Sequence, residues 1–140
     1  MSDRAAALGR WAEQAAFDLM QQHGFLMVAK NYHSRYGELD LIVQREQELV
    51  FVEVKARAQT QYAHAIESIS YTKQKKMVRT AFCFLEQHPE FQAFYYRFDV
   101  ICFDFNQQFS KNIQHDFTKY PYDVQWIENA FTFDPELINL

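Results

Sequence analysis

Two short segments carrying acidic residues constrain this chain more than any other feature. Gly37-Glu38-Leu39-Asp40-Leu41-Ile42-Val43 and Leu49-Val50-Phe51-Val52-Glu53-Val54-Lys55 alternate apolar and polar residues and are rich in Val, Ile and Phe, the pattern of half-buried β-strands. The link Gln44-Arg45-Glu46-Gln47-Glu48 is short and polar, so the simplest connection is an antiparallel hairpin. A two-residue turn at Glu46-Gln47 sets Asp40 opposite Glu53 and Glu38 opposite Lys55, although this turn lacks the Asn-Gly or Gly-X chemistry that favours one. A four-residue loop keeps the same register, whereas a bulged loop of three or five shifts it. Opposed side chains share a face with Cβ atoms about 5 Å apart. Two carboxylates and a lysine therefore converge.

Like charges side by side weaken a strand pair unless a cation or a raised pKa relieves them. An Asp and a Glu, completed by a carbonyl and waters, form a hard oxygen site suited to Mg²⁺ or Mn²⁺ and not to zinc. Lys55 follows Glu53 on the same face, placed to orient or deprotonate a water or to neutralise charge on a phosphate. Those are the parts of a metal-dependent phosphodiesterase. The plainer reading, a solvated strand face with a cross-strand ion pair, stays open at this point.

The first helix adds an independent hint. A helical pattern runs from about Asp3 to His23 and ends at Gly24, with Asp3, Arg4, Arg10, Gln14, Asp18, Gln21 and Gln22 on one polar stripe. Glu13 projects instead with Ala6, Gly9, Phe17 and Met20, the one charge on the apolar arc. Buried carboxylates are rare unless paired or metal-bound. Glu13 therefore has either an internal partner or a place beside Asp40, Glu53 and Lys55.

In chain order stand Gly9 and Glu13, Asn31, the Gly37–Ile42 block, Phe51-Val52-Glu53-Val54-Lys55-Ala56-Arg57, Lys73, Arg97-Phe98-Asp99-Val100 and Ile127-Glu128-Asn129-Ala130-Phe131. With these motifs nearly the whole chain resembles the YraN family of uncharacterised bacterial proteins. That family is similar to the PD-(D/E)XK nucleases and, among them, to archaeal Holliday-junction resolvases. The resemblance implies an α/β fold, a restriction-endonuclease-like mixed central sheet flanked by helices with core order αβββαβ. It implies that Asp40 and Glu53 bind metal, that Lys55 serves the attacking water, and that Glu13 matches a helix-borne catalytic acid. His33 stands where arginine is common, and Ala63 follows Tyr62 where a Phe-Gly pair is usual.

A length of 140 residues fits one domain, residues 1–140, with a substantial core. Hydrophobic residues at 49% and aromatic residues at 17% exclude general disorder. No stretch approaches a membrane span and no apolar signal region opens the chain, so a cytoplasmic protein without membrane contact is expected. Cys83 and Cys102 read as small hydrophobes, and the five histidines have no zinc spacing.

A net charge of −4 opposes general nucleic-acid binding, but the charge is uneven. Residues 55–79 hold Lys55, Arg57, Lys73, Lys75, Lys76 and Arg79 against Glu67 alone, a local balance of +5. Ser70 is positioned to cap a helix reaching about Gln87, with Met77, Val78, Ala81, Phe84 and Leu85 inward and Lys73, Lys75, Lys76 and Arg79 outward. That stripe, with Arg57, is the expected substrate-binding face for a DNA backbone leaving the metal. A strand is expected over Phe94–Phe103, with Arg97 and Asp99 on one face, then a loop or hairpin over Asn106–Tyr122 and a last strand over Val124–Phe133.

Three functions follow, from different classes. The leading one is a Mg²⁺-dependent endonuclease hydrolysing phosphodiesters; branched or structured DNA enters through the resolvase resemblance alone. The second is a nuclease-fold nucleic-acid-binding module without significant turnover, and the third a protein-interaction domain that keeps these charges for structure. Cutting both strands of a junction would suit a homodimer with two sites.

Overall fold

Among the described residues, alternating apolar residues build a sheet with one helix over each face. The computed structural model describes residues 3–58, 69–105 and 122–132. Its elements in chain order are α1 (Asp3–Gln22), β1 (Leu26–Ser34), β2 (Gly37–Arg45), β3 (Glu48–Ala58), α2 (Tyr71–Gln87), a 3₁₀ turn (Pro89–Phe91), β4 (Tyr95–Phe105) and β5 (Tyr122–Phe131). The five strands form one sheet in the order β1-β2-β3-β4-β5, antiparallel except for the parallel pair β3 and β4. This mixed α/β arrangement is compatible with a restriction-endonuclease-like fold and contains the order αβββαβ, followed by β5.

Parallel strands need a long connection, and α2 lies within the crossover from β3 to β4. Ser70 caps α2 by accepting a hydrogen bond from Lys73 N at 3.1 Å. Met77, Val78, Ala81 and Phe84 bury one face of that helix against Leu39, Ile42, Leu49, Phe51, Phe98 and Val100. On the opposite side α1 buries Ala7, Ala12, Ala16 and Met20 against Leu41, Val43, Val50, Val52, Ile101 and Phe103. Three alanines in that stripe allow the helix backbone close to the sheet. Gly24, at φ +89°, ends α1 with Gly24 N donating to Gln21 O and Phe25 N to Met20 O, the paired bonds of a Schellman stop.

The β2–β3 hairpin has the expected register, Arg45 opposite Glu48 and Leu41 opposite Val52. Its two-residue turn forms without a glycine because Glu46 adopts φ +53°. Beyond it neither Asp40 with Glu53 nor Glu38 with Lys55 continues the ladder as a direct pair. The ladder stops at Leu41 and Val52, so Glu38 does not face Lys55; it pairs instead with His33 Nδ1, 3.3 Å away across β1.

Other differences are of extent. The last strand begins at Tyr122 and ends at Phe131, and β4 continues to Phe105. Ala63 and residues 106–121 lie outside the described residues. No helix among the described residues is long and apolar enough to cross a membrane.

Candidate metal centre

Where the β2–β3 ladder stops, a side chain takes over from backbone pairing. Asp40 Oδ2 accepts a hydrogen bond from Val54 N at 2.8 Å, bridging the two strands as they part. The strand alternation breaks at the same point. Leu39 packs under α2 and Leu41 under α1, although residues two apart share a face in a regular strand. Asp40 therefore lies in the fork between the strands.

Glu53 enters the fork from β3. Its side chain is 7% exposed, and its Oε2 is buried without a hydrogen bond among the described residues. Lys73 Nζ lies 3.2 Å from that oxygen, an ion pair by distance whose angles do not make a hydrogen bond. Asp40 and Glu53 are in side-chain contact. Burial first, then the hydrogen bond and charge of Glu53, push the Asp40 carboxyl up to about 8, while Val54 N–H and the Lys73 ammonium oppose the rise. The rise has a plain cause: two buried carboxylates in contact cannot both ionise cheaply.

Glu13 reaches the same locus from α1. It is half-buried, at the border of the alanine stripe rather than in its centre. Its pKa is raised, chiefly by burial and then by the Asp40 charge, while an Asn31 side-chain hydrogen bond and the Lys30 charge lower it. Asn31 stands at φ +51° in β1, a left-handed conformation that asparagine tolerates better than most residues. The only local mark of Asn31 in the sequence is that an asparagine stands inside an otherwise β-rich run.

Whether a metal fits can be judged from the donors. No trio of His, Cys, Asp and Glu side chains among the described residues is arranged to hold an ion. Two carboxylates remain, one with its pKa raised and one with an orphaned buried oxygen. A hard divalent cation would relieve both defects, and Mg²⁺ commonly accepts one or two protein carboxylates with waters and substrate phosphate. By donor chemistry, Asp40 and Glu53 would suit a hard cation such as Mg²⁺ or Mn²⁺.

The other predicted residues separate into three groups. Lys55 follows Glu53 on β3, half-buried and without an ion pair among the described residues. Arg57 does not project freely: its Nε and Nη2 meet Asp104 Oδ1 and Oδ2 at 2.7 and 3.0 Å. Lys73 turns into the fork, whereas Lys75 lies over the Tyr71 ring at 4.5 Å, Arg79 over Tyr36 at 5.3 Å, and Lys76 is exposed. The β1–β2 turn docks against this part of α2 through Ser34 Oγ and Thr80 Oγ1 at 2.8 Å. It brings in Arg35, whose guanidinium lies 4.9 Å from the Tyr36 ring centroid. Nothing local in the sequence marks Arg35, since only the docked turn joins it to the α2 cations.

The model of Uncharacterised protein family UPF0102 matches residues 12–103, a span that includes Glu13, Asp40, Glu53, Lys55 and Lys73. The chain belongs to this family, that of the YraN proteins. A UPF0102 protein of Acinetobacter baumannii (strain AYE) is 57% identical over 130 residues, covering 93% of this chain and 98% of the relative. One from Acinetobacter baylyi is 54% identical over 125 residues, covering 89% of each chain. A more distant UPF0102 protein, from Legionella pneumophila, is 32% identical over 123 residues, 88% of this chain and 92% of its own length. The family is described as uncharacterised, so membership by itself assigns no reaction.

Proposed function

We propose that this protein is a Mg²⁺- or Mn²⁺-dependent endonuclease of the cytoplasm that hydrolyses phosphodiester bonds in DNA, with branched or otherwise structured DNA as substrate. The observation that carries the reading is the contact of two buried carboxylates, Asp40 and Glu53, in the strand fork, followed along β3 by Lys55. Asp40 and Glu53 would hold a divalent cation, which would supply charge to polarise the scissile phosphate and to lower the pKa of a water. The Lys55 ammonium offers a donor to the attacking water or to charge gathering on phosphate oxygens. Glu13, held by Asn31 and with a raised pKa, is suited to accept a proton from water on the α1 side. Lys75, Lys76 and Arg79 on α2 lie along the backbone path, and Arg35 extends it.

One observation favours the second reading, a nucleic-acid-binding module without significant turnover. Lys73 Nζ lies 3.2 Å from Glu53 Oε2, so a lysine already neutralises one of the two carboxylates that a cation would need. The experiment is a cleavage panel of single-stranded, duplex, flap and four-way-junction DNA with Mg²⁺ or Mn²⁺, with Lys55→Ala as control. Cleavage lost in Lys55→Ala supports the nuclease. Binding without cleavage selects the second reading, and equal activity in both proteins points to a contaminant or to the wrong residue.

A further inference from the structure

Lys73 belongs, by its sequence position, to an outward basic stripe, yet its ammonium lies inside the fork. Its backbone is fixed at the first turn of α2, where Lys73 N donates to the Ser70 cap. The side chain reaches from there to Glu53 Oε2 at 3.2 Å and remains 37% exposed. Two features make this contact unlike an ordinary surface pair. The oxygen it neutralises is buried and has no hydrogen bond among the described residues, and the same Glu53 touches the carboxyl of Asp40. A single positive charge therefore sits against the buried carboxyl pair of the candidate metal centre.

A divalent cation held by Asp40 and Glu53 would compete with that ammonium for the same oxygen, and two positive centres at contact distance repel strongly in a partly buried site. The partial exposure of Lys73 gives its flexible four-carbon stem a route outward. The first turn of α2 is also where the stripe of Lys75, Lys76 and Arg79 begins.

We propose that Lys73 is a displaceable counter-ion: it neutralises Glu53 in the metal-free protein, is expelled when a divalent cation arrives, and then contacts a substrate phosphate next to the loaded site. This rests on the metal reading above and adds an order of events to it. Metal loading would thereby switch on one further phosphate contact, so that DNA affinity and metal affinity are coupled.

The test uses Mn²⁺ alone, titrated by calorimetry into wild type, Lys73→Met, Lys73→Arg and Glu53→Gln. Lys73→Met keeps the stem and removes the competing charge, so it should bind Mn²⁺ about tenfold more tightly, whereas Lys73→Arg stays near wild type. With Mg²⁺ present, the same Lys73→Met protein should bind junction DNA more weakly, with a salt slope shallower by about one. Opposite directions for metal and DNA are a signature that loss of structure alone does not give. Equal or weaker Mn²⁺ binding by folded Lys73→Met overturns the proposal. Should that variant not fold, the Lys73 side-chain resonances of wild type decide. They must shift with the midpoint of a Mg²⁺ titration, and signals unmoved at saturation overturn the proposal. Wild type that binds no Mn²⁺, or Glu53→Gln that binds it unchanged, removes the underlying metal reading and this inference with it.

Discussion

At the residue scale, Asp40 makes the fork sensitive to pH. Its folded-state carboxyl keeps a proton up to about 8, whereas the ordinary value is 3.8. The folded protein thus binds more protons than the unfolded chain between those values, so stability is greatest at the acid end and falls as pH rises towards 8. In chelator, thermal unfolding should show this decline. Asp40→Asn keeps an oxygen to accept from Val54 N but carries no charge. It should flatten the profile and raise stability at pH 8 by on the order of 1–3 kcal/mol, while abolishing Mn²⁺ binding. A flat wild-type profile would show that Asp40 ionises normally. Glu46 offers a separate test of backbone strain, since its φ of +53° suits glycine. Glu46→Gly should raise stability by about 0.5–1 kcal/mol in urea unfolding, and a loss would mean that the Glu46 side chain supports the turn.

At the scale of elements, the β2–β3 hairpin was readable because alternation and a short polar link fix a register together. Strand β1 was not read from its own residues. Its register shifts between Met27 and Ala29, Asn31 has a positive φ, and its burial follows no simple alternation, as befits an edge strand. A similar irregularity marks β5, whose pairing shifts opposite Asp99 while Asn129 adopts φ +52°. Asp99 fills that gap. It is fully buried and accepts from Arg97 Nε at 3.0 Å, Trp126 Nε1 at 2.9 Å and Asn129 N at 3.0 Å, while Arg97 Nη1 reaches Glu48 Oε2 at 2.8 Å. The pairing of Arg97 with Asp99 was legible two residues apart on one strand, but the Trp126 bond depends on the bulge. Asp99→Ala leaves a half-buried guanidinium with Glu48 alone and an indole N–H and the Asn129 N–H without their acceptor. It should cost about 3–5 kcal/mol in urea unfolding and change Trp126 fluorescence. A cost below about 1 kcal/mol would mean that water replaces the carboxylate without loss.

Over the whole molecule, the sequence gives the total charge but not which cations remain available. The protein carries −4 overall, and its basic segment can attract a phosphate backbone only through side chains that are not already paired. Arg57 and Lys75 are alike by count and differ by topology. The parallel register sets Arg57 beside Asp104, whose carboxylate takes its guanidinium by two bonds, whereas Lys75 and Lys76 lie on the side of α2 away from the core. No local pattern could have revealed that pairing, because Arg57 and Asp104 are joined only when α2 crosses between their strands. The two sites should therefore respond differently when DNA binding is measured against salt. Lys75→Glu with Lys76→Glu should weaken binding by about ten- to a hundredfold and reduce the slope of log affinity against log salt by about two. Arg57→Gln should leave the slope unchanged and lower thermal stability instead, since it strands Asp104 in a half-buried place. A slope that falls for Arg57→Gln as much as per lysine would mean that Arg57 leaves Asp104 to meet the backbone, and the substrate path would then begin on β3 rather than on α2.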